Sequence, residues 1–271
     1  FGYNLTGDIR EQSLVFAHGD GGNGKGTFLN TIAKILGGYA INAAMDTFTA
    51  SKYSKHSTDL AMLKSARMVT ASETEEGQPW AESRIKNITG GDPITARFMR
   101  QNNFTYMPQF KLTIIGNHKP VLRNIDDAMR RRFNIVPFTC KPAKVDRELA
   151  EKLKLEWPAI LRWGIEGCLD WQKNGLIRPQ SILDDTEAYF SEQDVFGHWI
   201  NERCERSEFA KESSSALYAN WRDYAISAGE EPGTQKAFST RMEQRHFKKS
   251  RTKRGAVFLG IAIAHGVTGD G

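Results

Sequence analysis

The stretch HGDGGNGKGTF, His18 to Phe28, sets five glycines around one lysine and ends in threonine and phenylalanine. Glycines let backbone N–H groups turn inward around an anion, and a lysine adds a point charge at the outer oxygens of a polyphosphate. Gly19, four intervening residues, then Gly24-Lys25 match the first part of the GxxxxGK[ST] phosphate loop. Gly19, Gly22, Asn23, Gly24, Lys25, Gly26 and Thr27 are accordingly the predicted nucleotide-binding residues. Gly26 stands where a serine or threonine hydroxyl normally meets Mg²⁺, and Thr27 follows one residue late as the candidate to replace it. The bland alternative is a glycine turn with an incidental lysine. The flanking elements speak against it.

Three further clusters suit the chemistry of a bound nucleoside triphosphate. MVTASETEEG runs a short apolar strand into Ser72-Glu73. Glu73 falls where a glutamate polarises an attacking water and, with Thr27, is the predicted contact to Mg²⁺. Ser72 falls where an aspartate often holds the metal through water. KLTIIGNHKP ends a strand in Asn117, an amide able to orient that water or touch the γ-phosphate, or else a plain turn residue. DDAMRRRFNIVPF gathers Arg130, Arg131 and Arg132 before a strand. An arginine placed against a neighbouring subunit's γ-phosphate stabilises transition-state charge. A salt-bridged cluster with Asp126 and Asp127 is the alternative.

These residues need a frame. SLVFAHG reads as a buried strand, and KGTFLNTIAKILG as a helix with Phe28, Leu29, Ile32, Ile35 and Leu36 at helical spacing and Gly37-Gly38 as its stop. Met68–Ala71, Phe110–Asn117 and Arg132–Phe138 read as further strands. Strands alternating with helical stretches predict a mostly parallel, three-layer α/β domain. A helical part follows at about 143–190, where Trp157, Trp163 and Trp171 are expected in the core. The boundary is placed near Gln193. From 194 to 264 the pattern is three helices and a hairpin, the outline of a winged helix, with Thr234 as an N-cap and 265–271 as a disordered tail. Lys236 and Arg241 lie on the presumed recognition helix. Arg245, Lys248, Lys249, Arg251, Lys253 and Arg254 make the densest basic run in the chain. Such a run suits a DNA backbone, or is a solvated hairpin tip.

Composition narrows the class. The chain has 271 residues, 39% hydrophobic and 25% charged, with a net charge of +5, which is ordinary for a globular protein and mildly favourable to a polyanionic partner. Three cysteines without CxxC spacing and six histidines without HExxH argue against a disulfide framework or a zinc site, and fit a reducing cytoplasm. No apolar run reaches the ~18 residues of a membrane span. The opening FGYNLTGDIREQ reads as the tail of a preceding segment, as in a fragment of a longer protein.

In this order the motifs resemble the C-terminal part of phage and plasmid primase-helicases, whose motor is a superfamily 3 helicase of the AAA+ type. HGDGGNGKGTF resembles the Walker A motif, RMVTASETEEG Walker B, TIIGNHKP motif C and DDAMRRRFNIVPF the arginine-finger region. The likeness covers roughly residues 1–190 and is weaker over the winged-helix part. It implies an ATP- and Mg²⁺-dependent homo-oligomer, usually a hexamer, that draws single-stranded DNA through a central pore. By position, Lys25 would bind phosphates, Glu73 activate water, Asn117 act as sensor, and Arg131 or Arg132 act in trans. IKNITGGDPITARFMRQNNFTYMPQFKL would supply the pore hairpin, with Lys86, Arg97 and Arg100 as phosphate contacts and Phe98, Phe104 and Tyr106 as stacking or, more simply, core aromatics. Two rivals stand beside this reading: an origin-binding assembly module with little unwinding activity, favoured by Gly26 and Ser72, and a small-molecule P-loop phosphotransferase.

Overall fold

The structure is a computed structural model that describes residues 1–50, 58–72, 79–122, 126–253 and 255–264. The chain divides into two compact units, Phe1–Phe190 and Ser191–Gly271. Glu73, Arg254 and the tail 265–271 lie outside the described residues.

The first unit is built on strand β1 (Leu14–His18), helix α1 (Lys25–Leu36), β2 (Ala40–Asn42), α2 (Thr58–Ala61), β3 (Met68–Ser72), α3 (Glu82–Gly90), β4 (Ile94–Ala96), β5 (Phe104–Tyr106), β6 (Lys111–Gly116), α4 (Asp127–Arg130) and β7 (Phe133–Pro137). Helices α5 (Leu149–Leu155), α6 (Trp157–Asn174) and α7 (Gln180–Glu192) follow. Five strands form a parallel sheet in the order β2-β3-β6-β1-β7. Strands covered on both faces read as unbroken apolar runs, which is why LVFAH and KLTIIG show little alternation. One face of the sheet packs Ala17, Met68 and Ile115 against Leu29, Ile32 and Leu36 of α1. The other packs Leu14, Phe16, Val69, Leu112, Ile114, Phe133 and Ile135 against Trp80, Ile85, Ile88 and Tyr189. The expected mixed α/β architecture with a mainly parallel central sheet is the one found.

The opening segment is part of this unit. Tyr3 packs against Trp171 with tilted rings 4.6 Å apart, and Trp171 Nε1 donates to Glu11 at 2.8 Å. Gly2 lies so close to α6 that a Cβ there would sit 2.3 Å from the backbone nitrogen of Cys168. Of the three tryptophans expected in the core, Trp171 is buried, Trp157 is half-buried and Trp163 is exposed. Trp163 lies beside Phe1, with ring centres 6.0 Å apart, and stays exposed, a distinction that helical spacing alone does not make.

The second unit contains α8 (Val195–Arg203), β8 (Cys204–Ser213), α9 (Ser214–Ser227), α10 (Gln235–Gln244), β9 (Lys248–Thr252) and β10 (Gly255–Ile263). Its antiparallel sheet runs β8-β10-β9. Trp199, Trp221, Phe196, Phe238 and Phe258 interlock at its centre, mostly edge to face. Thr234 caps α10 by accepting from the Ala237 N–H at 3.2 Å, as its sequence predicts. Strand β8 has no counterpart among the elements expected from sequence. CERSEFAKES has no apolar alternation, and its strand conformation is fixed by the ladder to β10.

Candidate functional site

Lys25, Asn117 and Ser72 come together because of the sheet order. Strand β6 lies between β1 and β3, so the carboxyl ends of the three strands form one edge: Gly116 is opposite His18, and Ile115 is opposite Ser72. In open parallel sheets ligands bind at that edge. The glycine loop leaves β1 there and enters α1, whose first N–H groups have no partners within the helix.

The loop's shape is dictated by glycine at two points. Gly19 has φ +148°, and a Cβ on it would lie 2.2 Å from the Phe138 carbonyl oxygen. Gly24, the residue before α1, has φ +88°. Asn23 Nδ2 donates to the Phe138 carbonyl, and the Phe138 N–H donates to His18 at 2.7 Å, so the loop is tied to the end of β7. Lys25 is buried at 6% exposure. Its ammonium donates to the carbonyls of Gly19 and Asp20, to Asn23 Oδ1 at 3.1 Å and to Asn117 Oδ1 at 3.2 Å. Burial lowers its pKa. Burial also lowers that of His18, helped by the charge of Lys119. Lysine and amide, 92 positions apart in sequence, thus meet at one point.

The residues expected on the metal side are less complete. Gly26 is exposed, and a Cβ on it would have no atom within 4 Å, so glycine there is not a steric requirement. Thr27 is half-buried and its carbonyl accepts from Thr31 Oγ1 at 2.8 Å. Ser72 is exposed at the end of β3. Glu73 lies outside the described residues.

The arginines sit elsewhere. The Leu14 N–H donates to the Arg132 carbonyl at 2.7 Å, which places Arg131 and Arg132 at the start of β1. The loop of Lys25 lies at its far end. Five residues of strand separate the two edges by roughly 15 Å, so neither arginine serves the loop of its own chain. Arg131 is exposed, with Nη2 3.4 Å from Gln12 Oε1. Arg132 is 5% exposed and donates to the Ala128 carbonyl at 2.7 Å. The Arg132 guanidinium is thus turned into its own unit, whereas that of Arg131 is exposed. Arg130 pairs with Glu187 at 3.1 Å.

In the middle stretch, β4 and β5 form an antiparallel hairpin, with Ala96 opposite Phe104. Arg97 and Arg100 are exposed at its tip beside Met99, and Phe98 stacks on Phe104 at 5.5 Å. Tyr106 is buried and its hydroxyl donates to the Leu60 carbonyl at 2.6 Å. Lys86 is placed apart from these residues. It lies on α3 and not on the hairpin, and its ammonium is 2.7 Å from Asp126 Oδ2. Sequence reasoning offers Asp126 only to the arginines. The signal for its actual place is an aspartate directly before DAMR, the N-cap position of a short helix.

In the second unit, Lys236, Lys248, Lys249, Arg251 and Lys253 are exposed. Lys236 and Lys249 line a groove of about 600 Å³ with Ser213, Ser215 and Gln235. Arg241 is half-buried, its guanidinium 5.9 Å from the Phe196 ring centre. Arg245 is held by Asp194.

A family of unknown function (DUF5906) matches residues 17–132, from β1 through the arginine segment. The chain is 29% identical over 244 residues to the "Putative helicase L207/L206" of Acanthamoeba polyphaga mimivirus, covering 81% of this chain and 25% of the relative. It is 25% identical over 255 residues to the "Putative helicase 022R" of Frog virus 3 (isolate Goorha), covering 85% and 26%. The chain therefore spans about a quarter of the length of these curated relatives. In fold it is similar to the apo structure of the NrS-1 C-terminal region (305–718), with TM-score 0.53 and 12% identity over 93% of this chain and 68% of the other. A second apo form of that region gives a TM-score of 0.51 at 13% identity, over 94% and 68%. The two sequence likenesses relate the chain to helicase-like viral proteins. Among the described residues, no helix is long and apolar enough to cross a membrane.

Proposed function

We propose that the chain is the ATP-driven motor of a viral or mobile-element DNA helicase of the superfamily 3, AAA+ type. It works as a homo-oligomer, a hexamer in its family, that hydrolyses ATP between subunits. The observation that carries this reading is the meeting of Lys25 with Asn117 at one sheet edge, with Arg131 exposed at the opposite edge. A site divided in this way is completed by a second copy.

Lys25 and the N–H groups of Gly22 to Gly24 would hold the phosphates, with Thr27 and Glu73 on the metal side. Mg²⁺, when bound, neutralises charge on the β- and γ-oxygens. Asn117 Oδ1 shares the Lys25 ammonium and so senses whether a phosphate has drawn that ammonium away. Arg131 of an adjoining copy would set its positive charge against the negative charge on the transferred group in the transition state. Arg97 and Arg100 at the hairpin tip would contact single-stranded DNA. The second unit, read as a winged helix, would hold duplex DNA through Lys236, Lys248, Lys249, Arg251, Lys253 and Arg254.

The test is steady-state ATP turnover with and without single-stranded DNA, followed by strand displacement. Lys25→Ala is expected to abolish turnover. Arg131→Ala is expected to keep nucleotide affinity and lose about 10³-fold in rate. Full turnover in Lys25→Ala would refute the reading. A second reading, an origin-binding module that uses ATP only to assemble, is favoured by Gly26 and Ser72. It predicts DNA binding and assembly with negligible turnover.

A further inference from the structure

Helix α3 joins two regions that the nucleotide chemistry treats separately. At one end it leads through Gly91, Asp92 and Pro93 into the β4–β5 hairpin. Such a link is short, and proline limits its freedom. Along its length it lies against the arginine segment and is bonded to it at one point. Lys86 Nζ is 2.7 Å from Asp126 Oδ2. Asp126 also caps α4, with its Oδ1 accepting from the Met129 N–H at 2.9 Å. Further along, Gly90 lies next to the Arg132 guanidinium: a Cβ there would come 3.4 Å from Arg132 Nη2. Arg132 is buried there with no hydrogen-bond partner for its Nε among the described residues. Asp126 precedes Arg131 and Arg132 follows it, so α3 lies beside the chain on both sides of the exposed arginine and holds it through the Lys86–Asp126 pair.

We propose that Lys86 is a positioning residue that, through Asp126, couples the hairpin at 94–106 to the segment presenting Arg131. Single-stranded nucleic acid at the hairpin tip then alters the hydrolysis rate at the adjoining subunit's loop. The proposal rests on the motor reading above. It differs from the sequence-based expectation that Lys86 itself touches a DNA phosphate, and Asp126 separates the two. A phosphate-binding lysine gains nothing from a carboxylate 2.7 Å away. A coupling lysine needs it.

The full chain would be assayed for ATP turnover against a poly(dT) oligonucleotide, as wild type, Lys86→Met, Lys86→Arg, Asp126→Asn and the Lys86→Met/Asp126→Asn double variant. Asparagine is as good an N-cap as aspartate, so Asp126→Asn removes the charge and leaves α4 capped. Each of Lys86→Met and Asp126→Asn is expected to lower the DNA-stimulated rate about 3- to 10-fold. Nucleotide affinity and oligonucleotide affinity should hold. The double variant should be no worse than either single one, because both remove the same link. Lys86→Arg, which keeps the charge, should recover most of the rate. A wild-type rate in Asp126→Asn overturns the proposal, as do multiplying losses in the double variant or a loss of oligonucleotide affinity in Lys86→Met that matches its loss of rate. If Lys86→Met proves unfolded by its melting curve, Asp126→Asn and Lys86→Arg carry the test. A wild type whose turnover ignores poly(dT) removes the motor reading and this proposal with it. A stimulated wild type with an indifferent Asp126→Asn removes this proposal alone.

Discussion

Gly26 is the residue at which the glycine loop departs from the phosphate-loop pattern, and a two-step substitution separates its backbone role from the chemical one proposed for this turn. Gly26 is the second residue of α1, is exposed, and has open space where a Cβ would sit. Its φ lies outside the left-handed range, so an L side chain fits without strain. Gly26→Ala should therefore stabilise α1, by about 0.5–1 kcal/mol in a helix interior and somewhat less in this first turn. In a unit of this size that raises Tm by roughly 1–3 °C. Gly26→Ser makes nearly the same backbone change and adds one hydroxyl where the phosphate-loop pattern places a metal ligand. If the hydroxyl contributes about as much as a hydrogen bond, 0.5–1.5 kcal/mol, the serine variant binds Mg²⁺–nucleotide roughly 2- to 12-fold more tightly than the alanine variant. The two should bind equally in EDTA. The assay is titration of a fluorescent ATP analogue with and without Mg²⁺, alongside thermal melts. Thr27→Ala completes the set: it should weaken Mg²⁺-dependent binding, and Gly26→Ser in the same chain should restore it. Equal Mg²⁺ dependence in the alanine and serine variants, or no restoration in Thr27→Ala, would refute the assignment of this turn to the metal.

Two further outcomes follow from the charges. Lys111 is 6% exposed beneath the N-terminal turn, and burial brings its pKa down to about 8 from 10.5. Between those values the unfolded chain holds a proton that the native chain has lost, so stability should rise with pH, by up to about 1.4 kcal/mol per unit. Urea melts of wild type minus Lys111→Met at about pH 7.5 and 9.5 check this, and parallel melts would contradict it. In the second unit, Lys249→Ala and Arg251→Ala should each lower the slope of log affinity against log salt for duplex DNA by about 1. ATP turnover without DNA should be untouched, and an unchanged slope would remove these residues from the interface.

Much of the first unit is legible in its sequence, because buried parallel strands must be apolar on both faces and a tight phosphate loop must be glycine-rich. LVFAH, the glycine loop and the amphipathic α1 announce one another within two dozen residues. Thr234 and Asp126 carry their capping roles in the residues beside them, although the charge of the neighbouring arginines draws attention away from the cap at Asp126. What the sequence leaves open depends on contacts between distant segments. The meeting of Lys25 and Asn117 follows from the insertion of β6 between β1 and β3, an order of strands that no local pattern encodes. Arg131 and Arg132 are adjacent and chemically identical, yet one is exposed and the other buried, because the chain turns from α4 into β7 between them. Lys86 is indistinguishable in sequence from any other surface lysine until folding sets it beside Asp126. Strand β8 owes its conformation to β10. Composition and spacing thus determined which chemistry the chain carries, since those are properties of residue type and local geometry. The tertiary structure decided which groups lie together and which stay exposed, since proximity across long stretches of chain is settled only by packing.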